Sequence, residues 1–314
     1  MIFAARGLLV SLAFFATVYC LLSALVVLAW RSARHIHIKE RSKICSANFL
    51  FSLRMFAFAA STLIAVIFTF PSFWLMERAA LDEDAATFVL AACSLLILGA
   101  GLFRVLKAEA STMKAVTQWT PMVRSSDRSG PFAPTMSAAL GAPALILVGI
   151  RKPRVLVSDM ATTVLSSREL QVAVRHELGH KRSWDNLRKV LISATPFPGM
   201  SQLENAWREA AELAADDSAV RSRRDALDLA SALIKLSRSS KQWSEPALAS
   251  GLVSGSSSIS LRVKRLVEWR VSRKRLQRTW PWTLSAFLLV IVTVANNYGA
   301  ALVLTHRLTE LLVP

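Results

Sequence analysis

The chain has 314 residues, 53% of them hydrophobic, and a positive mean hydropathy, which argues against an ordinary soluble protein and for membrane segments. Its net charge of +17 raises the question of nucleic acid, but the basic residues border apolar runs, as they do on the cytoplasmic side of membrane proteins, and no direct nucleic-acid binding is expected. Three cysteines, two of them inside apolar runs, exclude a disulfide framework and a cysteine metal site, so any metal must use histidine and carboxylates.

Four segments are long and apolar enough for a helix of about 20 residues to cross a bilayer. They run from Leu8 to Trp30, Met55 to Leu75, Ala86 to Phe103 and Trp282 to Leu304. The first is too long for a signal peptide and has no small-residue cleavage site, so it reads as an uncleaved helix. The loop after it carries Arg31, Arg34, Lys39, Arg41 and Lys43, whereas the next is acidic, with Glu77, Asp82, Glu83 and Asp84. Arg104 and Lys107 close the third span, and Arg270, Arg273, Lys274, Arg275 and Arg278 precede the fourth. The positive-inside rule then puts both termini outside and the long segment from 107 to 279 in the cytoplasm. The expected organisation is three spans in residues 1–106, a cytoplasmic domain over 107–279, and a fourth span with a short tail over 280–314. Arg54 is expected to snorkel to the interface, and His35 with His37 to belong to a solvated basic loop.

Within 107–279 the pattern is that of an α+β domain. Ala144–Val148 and Arg154–Val157 are short β-branched runs separated by Gly149 to Pro153, a hairpin. Ser166 and Glu169 form an S-x-x-E capping box, with Leu165 and Leu170 as its staple, opening a helix that runs to about Trp184. Pro196 and Pro198 break the chain before a helix from Gln202 to Ala219. Asp225 caps a third helix that reaches Leu236, and the Ser/Gly-rich stretch from Ser250 to Ser260 reads as a loop.

The first of these helices holds HELGH, residues 176–180. Positions i and i+4 share a helix face about 6 Å apart, so His176 and His180 project together, as two imidazole ligands of one tetrahedral zinc require. Glu177, on the same turn, is placed to take a proton from a water that the metal activates. On the next helix Glu212 is the candidate third ligand, with Glu209 a competitor on nearly the same face. Asp216, one turn beyond Glu212, can hydrogen-bond the free nitrogen of a ligand histidine and fix its tautomer. Two histidines, one glutamate and an open position favour one Zn2+ per chain.

These residues resemble the gluzincin peptidases with an HExxH…ExxxD pattern, and among them the BlaR/MecR-type antirepressor metallopeptidases. The stretch from Gly149 to Val157 is similar to that family's G-x-x-x-P-x-I-x-x strand pair, and HELGHKRSWDN, residues 176–186, to its HExxHxxRxDN. REAAELAAD, residues 208–216, resembles its R-x-x-E-x-x-x-D helix, although Ala215 stands where members often have Cys. The order of three spans, a zinc domain and a fourth span is also similar. The resemblance implies an integral-membrane protein of the bacterial cytoplasmic membrane, with a cytoplasmic zincin-like domain that hydrolyses peptide bonds. It implies a protein or peptide substrate, such as a transcriptional repressor, and a lipid bilayer around the spans. Family members that sense β-lactams carry a large extracellular domain after the fourth helix. This chain ends shortly after that helix, so protease chemistry is expected without a sensor of its own, and a separate protein would have to supply one.

The tetrahedral intermediate of such a reaction needs a hydrogen-bond donor besides the metal. Residues 107–279 hold no Tyr and no third His, which leaves Arg182, Arg208 and Asn186 as candidates without a preference among them. A strand near 144–157 is a candidate for pairing with substrate backbone. Three functions stay open at this stage: a regulated protease, an HtpX-like quality-control protease, and a catalytically weak signal-transmitting scaffold. HtpX-like proteins usually place membrane helices between HExxH and the third ligand, and the stretch from His180 to Glu212 has no adequate apolar run.

Overall fold

The computed structural model describes residues 2–36, 46–76, 85–119, 136–139, 144–150, 153–239, 249–251, 259–270 and 296–312. Three helical stretches are long and apolar enough to cross a membrane, Phe3–Ala33, Ala47–Met76 and Ala85–Gln118. They are formed by α1 (Ile2–Ile36), by α2 (Ala47–Ile64) continuing into α3 (Phe70–Met76), and by α4 (Ala85–Trp119). Apolar side chains such as Leu25, Leu96 and Phe103 are exposed on them, as a surface facing lipid would have them. Helix α4 runs well past Phe103, where the predicted span ends. Of the fourth predicted span, residues 282–295 lie outside the described part, and Tyr298–Leu312 form the last helix, α11. The charged loops 37–45 and 77–84 and the basic stretch 271–278 also lie outside it.

The second span widens into a π-turn over Ala65–Thr69. Pro71 lies just beyond and has no N–H for the carbonyl of Ile67, four residues earlier, which its ring also displaces. Tyr298 of α11 donates its hydroxyl to that Ile67 oxygen at 3.0 Å.

After the spans come β1 (Met136–Ala139), β2 (Leu145–Val148), β3 (Arg154–Ser158), α5 (Asp159–Val164), α6 (Ser167–Arg182), α7 (Asp185–Ala194), α8 (Ser201–Ala219), α9 (Arg223–Ser239), β4 (Ala249–Gly251) and α10 (Ile259–Val267). The predicted hairpin is β2 antiparallel to β3, with Ile146 opposite Leu156. Two further strands complete a sheet of order β1-β3-β2-β4. Neither predicted strand therefore has a free edge for substrate, because β1 covers β3 and β4 covers β2. Alternation along β2 explains its unbroken apolar run: Leu145 and Leu147 enter a core with Val172 of α6 and Leu229, Leu233 and Leu236 of α9. Ile146 and Val148 point to the other face, against Ala115 and Val116 at the end of α4. The membrane helix thus forms one wall of the sheet.

Arg54 departs from its expected snorkelling. It is buried, its guanidinium 2.9 Å from Glu204 of α8, and it donates to the Thr195 carbonyl at 2.6 Å and the Thr195 hydroxyl at 3.2 Å. Tyr19 of α1 donates to the same Thr195 carbonyl at 3.1 Å. The α7–α8 connection, with its prolines, offers main-chain oxygens that Arg54 satisfies, so the charge turns inward to the protein. At Gly101 a Cβ would collide with the Ala194 carbonyl, so glycine is what lets α4 lie against the end of α7.

Candidate metal centre

Helix α6 starts where predicted. Ser166 caps it by accepting from the Glu169 N–H at 3.3 Å, and the Glu169 carboxylate returns a bond to the Ser166 N–H at 2.7 Å. Ser231 and Lys235 of α9 also donate to Glu169, at 2.6 and 2.8 Å. Burial would raise the Glu169 pKa, but Lys235, Ser231 and Ser166 together hold it down at about 2. Asp225 does not cap α9 from outside as expected. It sits within the first turn, accepting from Arg221 N–H at 3.1 Å, while Ser222 accepts from Asp225 N–H at 3.1 Å, and its carboxylate pairs with Arg175 of α6 at 3.0 Å.

The second residue of HELGH's x-x pair, Gly179, decides how close α8 can come. A Cβ on Gly179 would stand 3.2 Å from the Ala215 Cα and closer still to the Ser218 hydroxyl, so the two helices touch through glycine and alanine. That contact brings Glu212 to the histidines. His176 Nε2 and His180 Nε2 are 3.2 Å apart, with Glu212 Oε2 at 3.5 Å from the first and Oε1 at 3.4 Å from the second. Tetrahedral ligands about 2.0–2.1 Å from zinc stand about 3.3 Å from one another, so these spacings suit one such ion. Among the described residues this trio is the group that could hold a metal. Glu209, the competitor, is exposed.

Each histidine has a carboxylate behind it. His176 Nδ1 is 2.9 Å from Asp216 Oδ1. His180 Nδ1 is 2.7 Å from Asp185 Oδ2, a partner the sequence reading quoted in its motif but gave no role. With Nδ1 tied to a carboxylate, Nε2 of each ring is the nitrogen available to a metal. Asp185 reaches back because Trp184, which opens α7, has φ 55° and ψ 35°, in the left-handed region.

Arg262 of α10 was not anticipated. It is fully buried and forks between two acids: Nε and Nη2 donate to Asp216 at 2.9 and 2.7 Å, and Nη1 donates to Glu212 Oε2 at 2.8 Å. It is one of many basic residues near the end of the chain, and nothing local marks it out. Burial would raise the pKa values of Glu212 and Asp216, but the histidines and Arg262 hold both at about 2. Burial would lower that of His176, yet Asp216 and Glu212 hold it up at about 9. The site therefore favours positive charge between the imidazoles. Four buried carboxylates, Glu177, Asp185, Glu212 and Asp216, face two guanidinium groups, Arg262 and the more distant Arg188 at 3.8 Å from Asp185.

The three residues considered as oxyanion donors lie apart in character from this buried group. Arg182 is exposed, and Arg208 is exposed and donates to Asn205 at 2.7 Å. Asn186 is buried, and its amide donates to the Leu147 and Gly149 carbonyls at 3.3 and 3.0 Å, tying α7 to the end of β2.

A family model described as BlaR1 peptidase M56 matches residues 85–266, more than half of the chain. The chain belongs to that family. The matched segment runs from α4 into α10 and so includes His176, Glu177, His180, Asp185, Glu212, Asp216 and Arg262. Membership makes this a membrane-associated protein of metallopeptidase type. Among curated proteins, none matches the chain. As in the BlaR1-type resemblance, the stretch between His180 and Glu212 forms α7 and part of α8, and neither is among the candidate spans.

Proposed function

We propose that this protein is a zinc-dependent endopeptidase of a bacterial cytoplasmic membrane, cleaving a cytoplasmic or membrane protein in regulated proteolysis. The observation that carries the reading is the set of His176, His180 and Glu212 donor atoms at 3.2–3.5 Å, each imidazole backed by its own carboxylate. Zinc held there would supply a Lewis acid that polarises the scissile carbonyl and acidifies water. Glu177, fully buried on the turn between the two histidines, accepts the proton of the attacking water and delivers it to the leaving amine. Asp216 and Asp185 keep the imidazoles in the tautomer that presents Nε2. The charge bias of the loops supports a cytoplasmic active site and termini outside. A transcriptional repressor is the favoured substrate class on the family relationship.

The test is purified full-length protein in detergent. Wild type should hold about one zinc per chain and cleave a candidate repressor, and Glu177→Gln should keep the zinc and lose cleavage by at least about a hundredfold. A wild type that takes up no zinc, or a Glu177→Gln variant as active as wild type, would sink the reading.

A further inference from the structure

We propose that Arg262 is the positioning residue of the metal centre, anchoring the Glu212 carboxylate in front of the histidines and holding Asp216 against His176. The proposal rests on the zinc reading of the site.

Helix α10 presents Arg262 and, one turn later, Leu266 on its inner face. Leu266 joins the hydrophobic core, while Arg262 passes beneath α8 to the two acids. Removing a guanidinium fully from water costs several kcal/mol, so a buried arginine needs a full set of acceptors. Here the acceptors are the metal-site carboxylates themselves. The planar fork of arginine serves both: one edge, Nε and Nη2, takes the two oxygens of Asp216, and Nη1 takes one oxygen of Glu212.

Two of the three ligands are governed at once. Asp216 Oδ1 is shared between Arg262 Nη2 at 2.7 Å and His176 Nδ1 at 2.9 Å, so the arginine fixes the carboxylate that orients the first histidine. On Glu212, Oε2 accepts from Arg262 at 2.8 Å while standing 3.5 Å from His176 Nε2, and Oε1 stands 3.4 Å from His180 Nε2. The arginine thus anchors a carboxylate whose two oxygens face the two imidazoles. A lysine at 262 would supply the charge but carries its donors on a single nitrogen without the planar fork, and cannot bind both acids in this way.

Charge and geometry make opposite predictions for zinc affinity, which gives a clean test on the full-length detergent-solubilised chain. Zinc affinity is measured by competition with a chromophoric chelator, and the coordination by the visible spectrum of the cobalt-substituted protein. Arg262→Lys should bind zinc about 10–100-fold more weakly and show an altered cobalt band as the Glu212 carboxylate loses its anchor. In Arg262→Ala, added ethylguanidine should restore affinity and ethylammonium should not. The proposal is overturned if Arg262→Lys matches wild type in affinity and spectrum, or if both amines rescue equally, since the residue would then act by charge alone. It is also overturned if both variants fail to fold when zinc-free under conditions where the zinc-free wild type stays folded, which would make Arg262 part of the scaffold. Wild type that binds no zinc would instead remove the underlying reading, a distinct outcome.

Discussion

Asp185 and His180 are five positions apart in the chain and 2.7 Å apart in space, across a helix end that Trp184 turns through the left-handed region. The bond holds His180 with its Nε2 towards Glu212 and His176. Asp185→Asn keeps the size of the side chain and removes the charge. Zinc affinity should fall about 10–100-fold, and chelator competition on the purified variant measures it. Unchanged affinity would mean that His180 needs no orienting partner.

Trp184 itself is strained. A bulky residue at φ 55° costs about 1–2 kcal/mol relative to an ordinary backbone conformation, whereas glycine adopts it freely. Trp184→Gly should therefore stabilise the protein by about 1 kcal/mol, seen as a rise in Tm of a few degrees, with zinc affinity preserved. A fall in Tm would show that the exposed indole makes a contribution larger than the strain.

Glu169 gives the fold an acid-sensitive joint between α6 and α9. Its carboxylate is held at about 2 in the folded protein against about 4.3 when unfolded. A depressed carboxylate stabilises fully above the unfolded value and loses that contribution as pH falls towards the folded one. Thermal unfolding of wild type should lose stability between about pH 4.5 and pH 2 beyond that of Glu169→Gln. The variant should be less stable at neutral pH by about 2 kcal/mol. Parallel curves for the two proteins across that range would rule this out.

The Arg54–Glu204 pair joins the second span to the helix that carries Glu212. Arg54→Met leaves Glu204 without its charged donor and the Thr195 carbonyl with Tyr19 alone, and should destabilise the protein by about 3–5 kcal/mol. Arg54→Met with Glu204→Met should recover much of the loss. Unfolding monitored in detergent distinguishes the two, and a double variant no better than the single one would refute the pairing argument.

The parts of this structure legible in the sequence were those encoded over one or two helical turns. Ser166 and Glu169 marked the start of α6, the i, i+4 spacing put His176 and His180 on one face, and the same rule ranked Glu212 and Asp216 on the next helix. Long-range partners were not legible. Arg262 lies 46 positions beyond Asp216 among other basic residues, and only the path of the chain through α9 and β4 returns it to the site. Arg54 looked like an interfacial charge because Glu204 and Thr195, some 150 and 141 positions away, carry no mark of pairing with it. The role of Asp185 depends on a left-handed tryptophan, a conformation that side chain would not suggest.

The break at Pro71 has a use beyond bending a helix. In hydrocarbon an orphaned carbonyl finds no water, so the Ile67 oxygen exposed by the proline is a vacancy that a neighbour must fill. Tyr298 fills it, with its ring 5.8 Å from that of Phe68. The flaw in one helix is thus a socket that, among the described residues, a phenol of the last helix enters, and the contact registers the two helices at that point.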